Sequence, residues 1–206
     1  MPKHTIAHYH RNAAGFQAQY DSVAAADVHA DWASLLQGRT PGRALDVGAG
    51  SGRDALWLAQ QGWQVTAVEP AQGLRERGRH ATGDQVQWLD SQLPHLSDFD
   101  TPAQGYDLIL LSAVWMHLPP ADRPQAFTRL IELLSTTGLL IITLRFGPSD
   151  PERPMYAVSV DELAQLAQSQ GLVLSVLGEG ESQDRLARAE VSWQTVCLHA
   201  AGSENA

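Results

Sequence analysis

The chain of 206 residues has a single cysteine, Cys197, so it can close no internal disulfide and build no cysteine zinc site. It is short of positive charge: 14 Lys and Arg stand against 23 Asp and Glu, a net charge of −9. That balance argues against a basic footprint for nucleic acid, though not against a locally positive groove. No apolar run approaches the roughly 20 residues of a membrane span. The opening Met-Pro-Lys-His-Thr-Ile has no apolar core of leader-peptide length. Repeats and low-complexity tracts are also missing, and only the tail, residues 202–206, reads as loose. The expectation is one soluble cytoplasmic domain over residues 1–206, large enough to hide roughly 70% of its extended surface. Nothing in the sequence speaks to oligomeric state.

The most informative stretch runs from Arg43 to Pro70 and reads as strand, glycine turn, helix, strand. Ala44, Leu45 and Val47 form a short apolar run that ends at glycines, as a buried parallel strand does. Gly48, Gly50 and Gly52 allow a sharp turn with room for a ligand above it. Ala55, Leu56, Leu58 and Ala59 recur at helical spacing, and Gly62 stands where a helix C-cap belongs. A second strand, Val65 to Val68, stops at Glu69, an acid placed to accept hydrogen bonds from two ribose hydroxyls.

The glycine spacing is not that of the dinucleotide fingerprint G-x-G-x-x-G, because Arg53 occupies its third glycine position. Asp46 ends the strand before the turn, and an acid there suits an ammonium group better than a phosphate. This D-x-G-x-G-x-G turn followed by Glu69 resembles the cofactor motif of class I S-adenosylmethionine-dependent methyltransferases. The resemblance implies a three-layer α/β/α sandwich around a seven-stranded, mostly parallel sheet with an antiparallel C-terminal hairpin strand. It also implies S-adenosylmethionine as cofactor and S-adenosylhomocysteine as product.

The implied roles follow residue by residue. Asp46 and the amides of the turn at Gly48, Ala49, Gly50 and Gly52 would hold the methionine part. Glu69 would bind the ribose, Pro70 and Leu89 would sandwich the adenine, and Asp90, beside Ser91 after the third strand (Val86 to Leu89), would bond its amino group. A strand-end turn is the other reading of Asp90. Arg53 would reach the cofactor carboxylate or pair with Asp54. Ser112 lies at the end of the fourth strand, Tyr106 to Leu111, on the edge where open α/β sheets bind ligands.

The substrate half is less specific. Trp115 and His117 follow Ser112, and the family places a substrate-facing segment there. His117 is a candidate general base or a loop cap. Arg145 and Arg153 follow the fifth strand, Leu139 to Leu144, with Tyr156 close behind. Two guanidinium groups at the ligand edge of an acidic chain either clamp an anion or pair with Asp150 or Glu152. Residues Thr5 to Gly38 read as two helices, part of a segment 1–38 that would cover the cofactor mouth. Tyr9 and Tyr20 there face substrate or simply pack. His4, His8 and His10 have no carboxylate or cysteine to complete a set, so they read as solvated and no metal is expected. Arg75, Arg77 and Arg79 read as a solvated helix face. Asp122 and Ser159 are placed as helix N-caps, the latter with Glu162 in a capping box. Trp193, Thr195 and Cys197 would share one strand face.

No Asn-Pro-Pro-Tyr type segment follows the fourth strand, which disfavours methylation of an adenine amine. The function expected is methyl transfer to a heteroatom, oxygen first, of a small metabolite; an anionic one would give Arg145 and Arg153 a purpose. Nucleic acid and membrane are not expected partners. The alternatives are an RNA-modifying methyltransferase, a non-catalytic cofactor-binding module and, at the far end, an oxidoreductase.

Overall fold

The apolar runs become strands β1 (Arg43–Val47), β2 (Gln64–Val68), β3 (Val86–Leu89), β4 (Tyr106–Leu111), β5 (Leu134–Phe146), β6 (Leu172–Gln183) and β7 (Ser192–Ala200) in the computed structural model. The structure describes residues 1–97, 101–184, 186 and 188–201; the tail read as loose lies outside them. One sheet carries the strands in the order β3-β2-β1-β4-β5-β7-β6. Its pairings are parallel from β3 to β5, and β7 runs antiparallel to both β5 and β6. The expected sheet and its antiparallel hairpin are therefore present. Strand order reverses between β1 and β4, which opens a crevice at the C-terminal ends of those two strands.

Helices cover both faces because alternate residues of the central strands are apolar in both directions. Leu45, Ile109 and Ile142 pack with Phe127 and Leu130 of α6 (Arg123–Leu133) and Leu163 of α7 (Val160–Ser169). On the other face Ala44, Leu110 and Ile141 pack with Ala55 and Leu58 of α4 (Arg53–Gln60) and with Trp32. Each such buried Leu, Ile or Phe side chain contributes about 1.5–3 kcal/mol. The C-terminus of α4 closes as the glycine predicted: the Gly62 N–H donates to Ala59 O at 2.9 Å and the Trp63 N–H to Leu58 O at 3.2 Å.

Several boundaries differ from expectation. The N-terminal segment is not two helices but α1 (Lys3–Arg11), α2 (Ala13–Asp21), α3 (Ala25–Val28) and a 3-10 turn at Ala33–Leu36. Breaks fall at Asn12, Ser22 and His29, where polar side chains leave the helical repeat. Tyr9, Ala13 and Phe16 then pack on Ala71 and on Leu74 of α5 (Gln72–Thr82). β5 begins at Leu134, directly after α6, because Leu134 already pairs with Tyr106. The Asp122 side chain caps nothing. Ser159 caps α7 through the Glu162 N–H, but the Glu162 carboxylate takes Arg123 at 2.6 Å and leaves the capping box half made.

The arginines of α5 are a solvated face only in part. Arg77 and Arg79 are exposed and donate to Gln17 and to Trp88 O, but Arg75 is buried and donates to Glu69 O at 2.6 Å and to Asp90 at 2.7 Å. Two of the N-terminal histidines also have partners: His10 Nδ1 accepts from the Gly73 N–H, and His8 lies 3.4 Å from Glu152. No helix among the described residues is long and apolar enough to cross a membrane.

Candidate functional site

The glycine turn binds itself to the end of β2. The Gly48 and Ala49 N–H groups both donate to Val68 O, at 2.8 and 3.0 Å, and the Gly50 N–H donates to Glu69 Oε2 at 3.0 Å. The Gly52 N–H is used on Ala49 O. These amides are the donors a pyrophosphate would need, and they are already committed. The turn instead presents its outer surface to a cleft with ≈ 650 Å³ of empty space, part of it open to solvent. Gly48, Ala49, Gly50, Arg53, Glu69, Ser112 and His117 line it, as the sequence led one to expect. Ser51, Asp54, Leu74 and Val114 line it as well and were missed. Ser51, Leu74 and Val114 are small or apolar types that carry no signal in sequence, and Asp54 reads there only as a partner for Arg53.

Glu69 is the buried acid of this cleft. Its carboxylate accepts from the Gly50 N–H through Oε2 and from the Ala71 N–H through Oε1, at 2.7 Å. Each oxygen keeps a second lone pair. Burial pushes its carboxyl up to about 7 despite those two backbone donors. Asp46 is buried beneath the turn, accepts from the Ala55 N–H at the start of α4, and does not line the cleft. Burial and the neighbouring Asp54 raise its carboxyl well above the ordinary range.

A Cβ at Gly52, where φ is +85°, would meet the Trp88 ring at 2.7 Å, so the packing of the turn on β3 requires a glycine there. Pro70, Leu89, Asp90 and Ser91 do not line the cleft. Leu89 packs on the core, Asp90 is drawn to Arg75, and the Ser91 hydroxyl donates to Ser97 O.

A second cavity, with ≈ 1000 Å³ of empty space partly open to solvent, adjoins the first. Tyr9, Tyr20, Arg53, Ser112 and Ala113 belong to both linings and form the wall between them. Ala113 has a left-handed backbone, φ 60°, stabilised by its N–H donating to Thr143 Oγ1 at 2.7 Å. This kink directs Val114 back against Gly48, where a Cβ would meet Val114 Cγ2 at 2.6 Å.

At the wall, His117 has both ring nitrogens engaged. Nδ1 lies 3.2 Å from Pro154 O, which can only accept, so Nδ1 carries the proton and Nε2 accepts from the Tyr9 hydroxyl at 3.0 Å. Arg153 Nη1 donates to the same Tyr9 oxygen at 3.1 Å, and the Tyr20 hydroxyl also bonds it. Burial pushes His117 down to about 4, with Arg153 and Arg145 adding to the effect. Tyr9 and Tyr20 thus face the site instead of only packing. Trp115 and Tyr156, expected at the substrate, do not. Trp115 is sealed in the core, and the Tyr156 N–H ties its segment to Met116 O, with neither residue in a cavity wall.

Arg53 takes the structural partner: Nε and Nη2 grip the Asp54 carboxylate at 2.7 and 3.1 Å. Behind it His29 is fully buried. Its Nδ1 accepts from the Trp32 indole N–H at 3.0 Å, so its proton sits on Nε2, 3.1 Å from Asp54 Oδ1. Burial works against the Asp54 charge, yet His29 and Arg53 hold its carboxyl well below the ordinary range. Arg53 is thereby fixed in the wall, and Nη1 donates to Tyr20 O.

In the second cavity Arg145 and Arg153 stand together with Arg188, which is paired to the buried Asp184 at 2.6 Å. Arg153 pairs with Asp150 at 2.9 Å, the expected structural partner, but keeps its place in the lining. Arg145 donates to Pro148 O, and its Nε is buried without a partner among the described residues. Burial and the charges of Arg188 and Arg153 lower its pKa. Thr195 and Trp193 share the cavity face of β7, with Cys197 further along the same face in the core. Arg188, Asp184 and Met155 were not foreseen; they come from connections after the strands, where spacing has no fixed period.

A family model described as a methyltransferase domain matches residues 16–176. An uncharacterized methyltransferase of Staphylococcus carnosus is 30% identical over 121 residues, covering 56% of this chain and 55% of that protein. The chain spans about half the length of the curated relatives it matches. Among solved structures, a complex of DhpI with S-adenosylhomocysteine shares the fold with a TM-score of 0.68 at 16% identity, covering 97% of each chain. The Burkholderia thailandensis 1,6-didemethyltoxoflavin-N1-methyltransferase, with 1,6-didemethyltoxoflavin and S-adenosylhomocysteine bound, gives 0.64 at 20% identity, covering 93% of this chain and 90% of that one.

Proposed function

The chain belongs to the methyltransferase-domain family, and from that premise we propose that it transfers a methyl group from S-adenosylmethionine to an oxygen of a small anionic metabolite. The observation that carries this reading is the shared wall. A cleft built on the glycine turn and Glu69 continues past Tyr9, Tyr20, Ser112 and Ala113 into a cavity lined by Arg145 and Arg153.

The residues of the cleft fit the cofactor. Glu69 has lone pairs left for two ribose hydroxyls, and the amides of Gly48, Ala49, Gly50 and Gly52 are not free for a phosphate. When bound, the cofactor supplies a methyl carbon activated by a sulfonium charge. The chain's own part is alignment and exclusion of water. Tyr9 and Tyr20 close the wall, Arg53 is held rigid by Asp54, and Arg145 and Arg153 hold the acceptor's negative group. Alignment alone can supply about 7–11 kcal/mol of barrier reduction. In this reading residues 1–206 form one domain in which segment 1–38 covers the mouth. Among solved neighbours, a Haemonchus contortus phosphoethanolamine N-methyltransferase holds phosphomonomethylethanolamine, itself a small anion-bearing acceptor. That supports the size and charge class proposed, not the atom.

Calorimetry on the full chain tests the reading. S-adenosylhomocysteine is expected to titrate and NAD to give no heat. The opposite result would return the chain to the oxidoreductases.

A further inference from the structure

Resting on that reading, we propose that the methylated atom is the oxygen of the acceptor's own anionic group, so that the product is a methyl ester of a small amphipathic organic acid. Arg153 Nη1 is bonded to the Tyr9 hydroxyl, and Tyr9 stands in the wall shared by the two cavities. The Arg153 guanidinium is kept there by the Phe16 ring, 5.2 Å away, and by Asp150. An anion on Arg153 therefore lies at the junction with the cofactor cleft and not at the far end of the acceptor cavity. Arg145 supplies the second hold: its Nε is a buried donor with no partner among the described residues, and an oxyanion satisfies it.

The same wall is badly made for activating a neutral hydroxyl. His117 is the histidine at the junction, and its accepting Nε2 is already taken by Tyr9 while Nδ1–H is held by Pro154 O. The charged groups around it are Arg153, Arg145 and Asp150, and Asp150 is spent on Arg153. Of the acids in the cofactor cleft, Asp54 is gripped by Arg53 and Glu69 by two backbone amides. A nucleophile that arrives already ionised needs none of them. Val23, Val28, Met116, Met155, Leu186 and Trp193 give the cavity an apolar part that suits a hydrocarbon body behind the acid, while Gln19, Asp31, Thr143, Ser182 and Thr195 make the remainder polar.

The step balances without a proton. One lone pair of the acceptor oxygen forms the O–C bond to the methyl carbon. The C–S bond breaks, and its pair stays on sulfur as a neutral thioether. The acceptor's single negative charge and the sulfonium's positive charge both disappear for a carboxylate, and a phosphonate dianion becomes a monoanion. The ester loses charge toward Arg145 and Arg153, which weakens its hold and favours release.

The test uses the full chain loaded with S-adenosylhomocysteine and three matched probes: phenylacetate, phenylphosphonate and phenylacetamide. Calorimetry is expected to show at least one of the two anions bound about tenfold or more above the amide, with the difference lost in Arg145→Ala. S-adenosylhomocysteine affinity in that variant reports that it is folded. Labelled methyl transfer to para-hydroxyphenylacetate and to phenylphosphonate then locates the bond. Label released as methanol by mild alkali marks a carboxyl ester; alkali-stable label with a shifted phosphorus resonance marks the phosphonate ester. For the carboxylate acceptor the pH profile of kcat/KM is expected to be flat between about pH 6 and pH 9 once the cofactor is saturating, because the acid is ionised throughout and no base titrates in the step. A methyl ether with the acid left free, a base limb in that profile, or anions that bind no better than the amide would overturn the proposal. If S-adenosylhomocysteine itself gave no heat, the methyltransferase reading would fall first and this inference with it.

Discussion

The Glu69 carboxyl makes cofactor binding a function of pH. Burial holds it at about 7 in the free protein, against an ordinary 4.5. The unfolded chain sheds this proton first, so the folded state carries more protons between those values. The fold therefore loses stability as pH rises from about 4.5 to about 7, by at most about 3 kcal/mol, and no further above that. Ribose hydroxyls favour the opposite form: they donate, and only the ionised carboxylate has both oxygens free to accept while serving Gly50 and Ala71. With a carboxyl at about 7, the ionised fraction falls from about nine-tenths at pH 8 to about one-tenth at pH 6. S-adenosylhomocysteine affinity should fall about tenfold over that range, or about 1.4 kcal/mol. Calorimetry at fixed ionic strength measures it. In Glu69→Gln the slope should vanish, since an amide does not titrate, and affinity at pH 8 should drop by about tenfold or more because its NH2 must face a backbone N–H. A Kd that stays constant from pH 6 to pH 8, or a slope that survives Glu69→Gln, would refute the assignment.

Gly52→Ala forces a Cβ against Trp88 at a φ of +85°. It should cost about 2–4 kcal/mol, visible as a lowered melting temperature, without direct contact with the cleft. Asp54→Asn removes the charge that Arg53 and the buried His29 face, and should destabilise by about 3 kcal/mol, some 6–12 °C in a thermal melt. Arg153→Ala should raise KM for an anionic acceptor by about 10- to 100-fold and leave S-adenosylhomocysteine affinity within about twofold, because the guanidinium lines the second cavity and not the first. An unchanged KM would remove Arg153 from the acceptor site.

The cofactor half could be read from residue order because its parts are consecutive. The strand, the turn, the helix and the acid at Glu69 lie within one β-α-β unit whose period and glycines are local properties. What the spacing did not tell is that Asp46, Gly52 and the amides of Gly48 and Ala49 also hold the turn together and pack it on Trp88. A motif specifies a backbone path, and which of its atoms remain free depends on what packs around it.

What the amino-acid order determined by itself was the strand, glycine turn, helix and second strand with the acid at its end, since side-chain periodicity and glycine placement act over a few residues. Only the folded chain decided that Tyr9 meets His117 and Arg153 across sequence separations of 108 and 144 residues. It alone sealed Trp115 away and left Arg145, in the second cavity, with a buried N–H that no described residue answers. Those outcomes depend on how separate segments dock. Docking is set by the summed burial of many side chains, which no single stretch of sequence encodes.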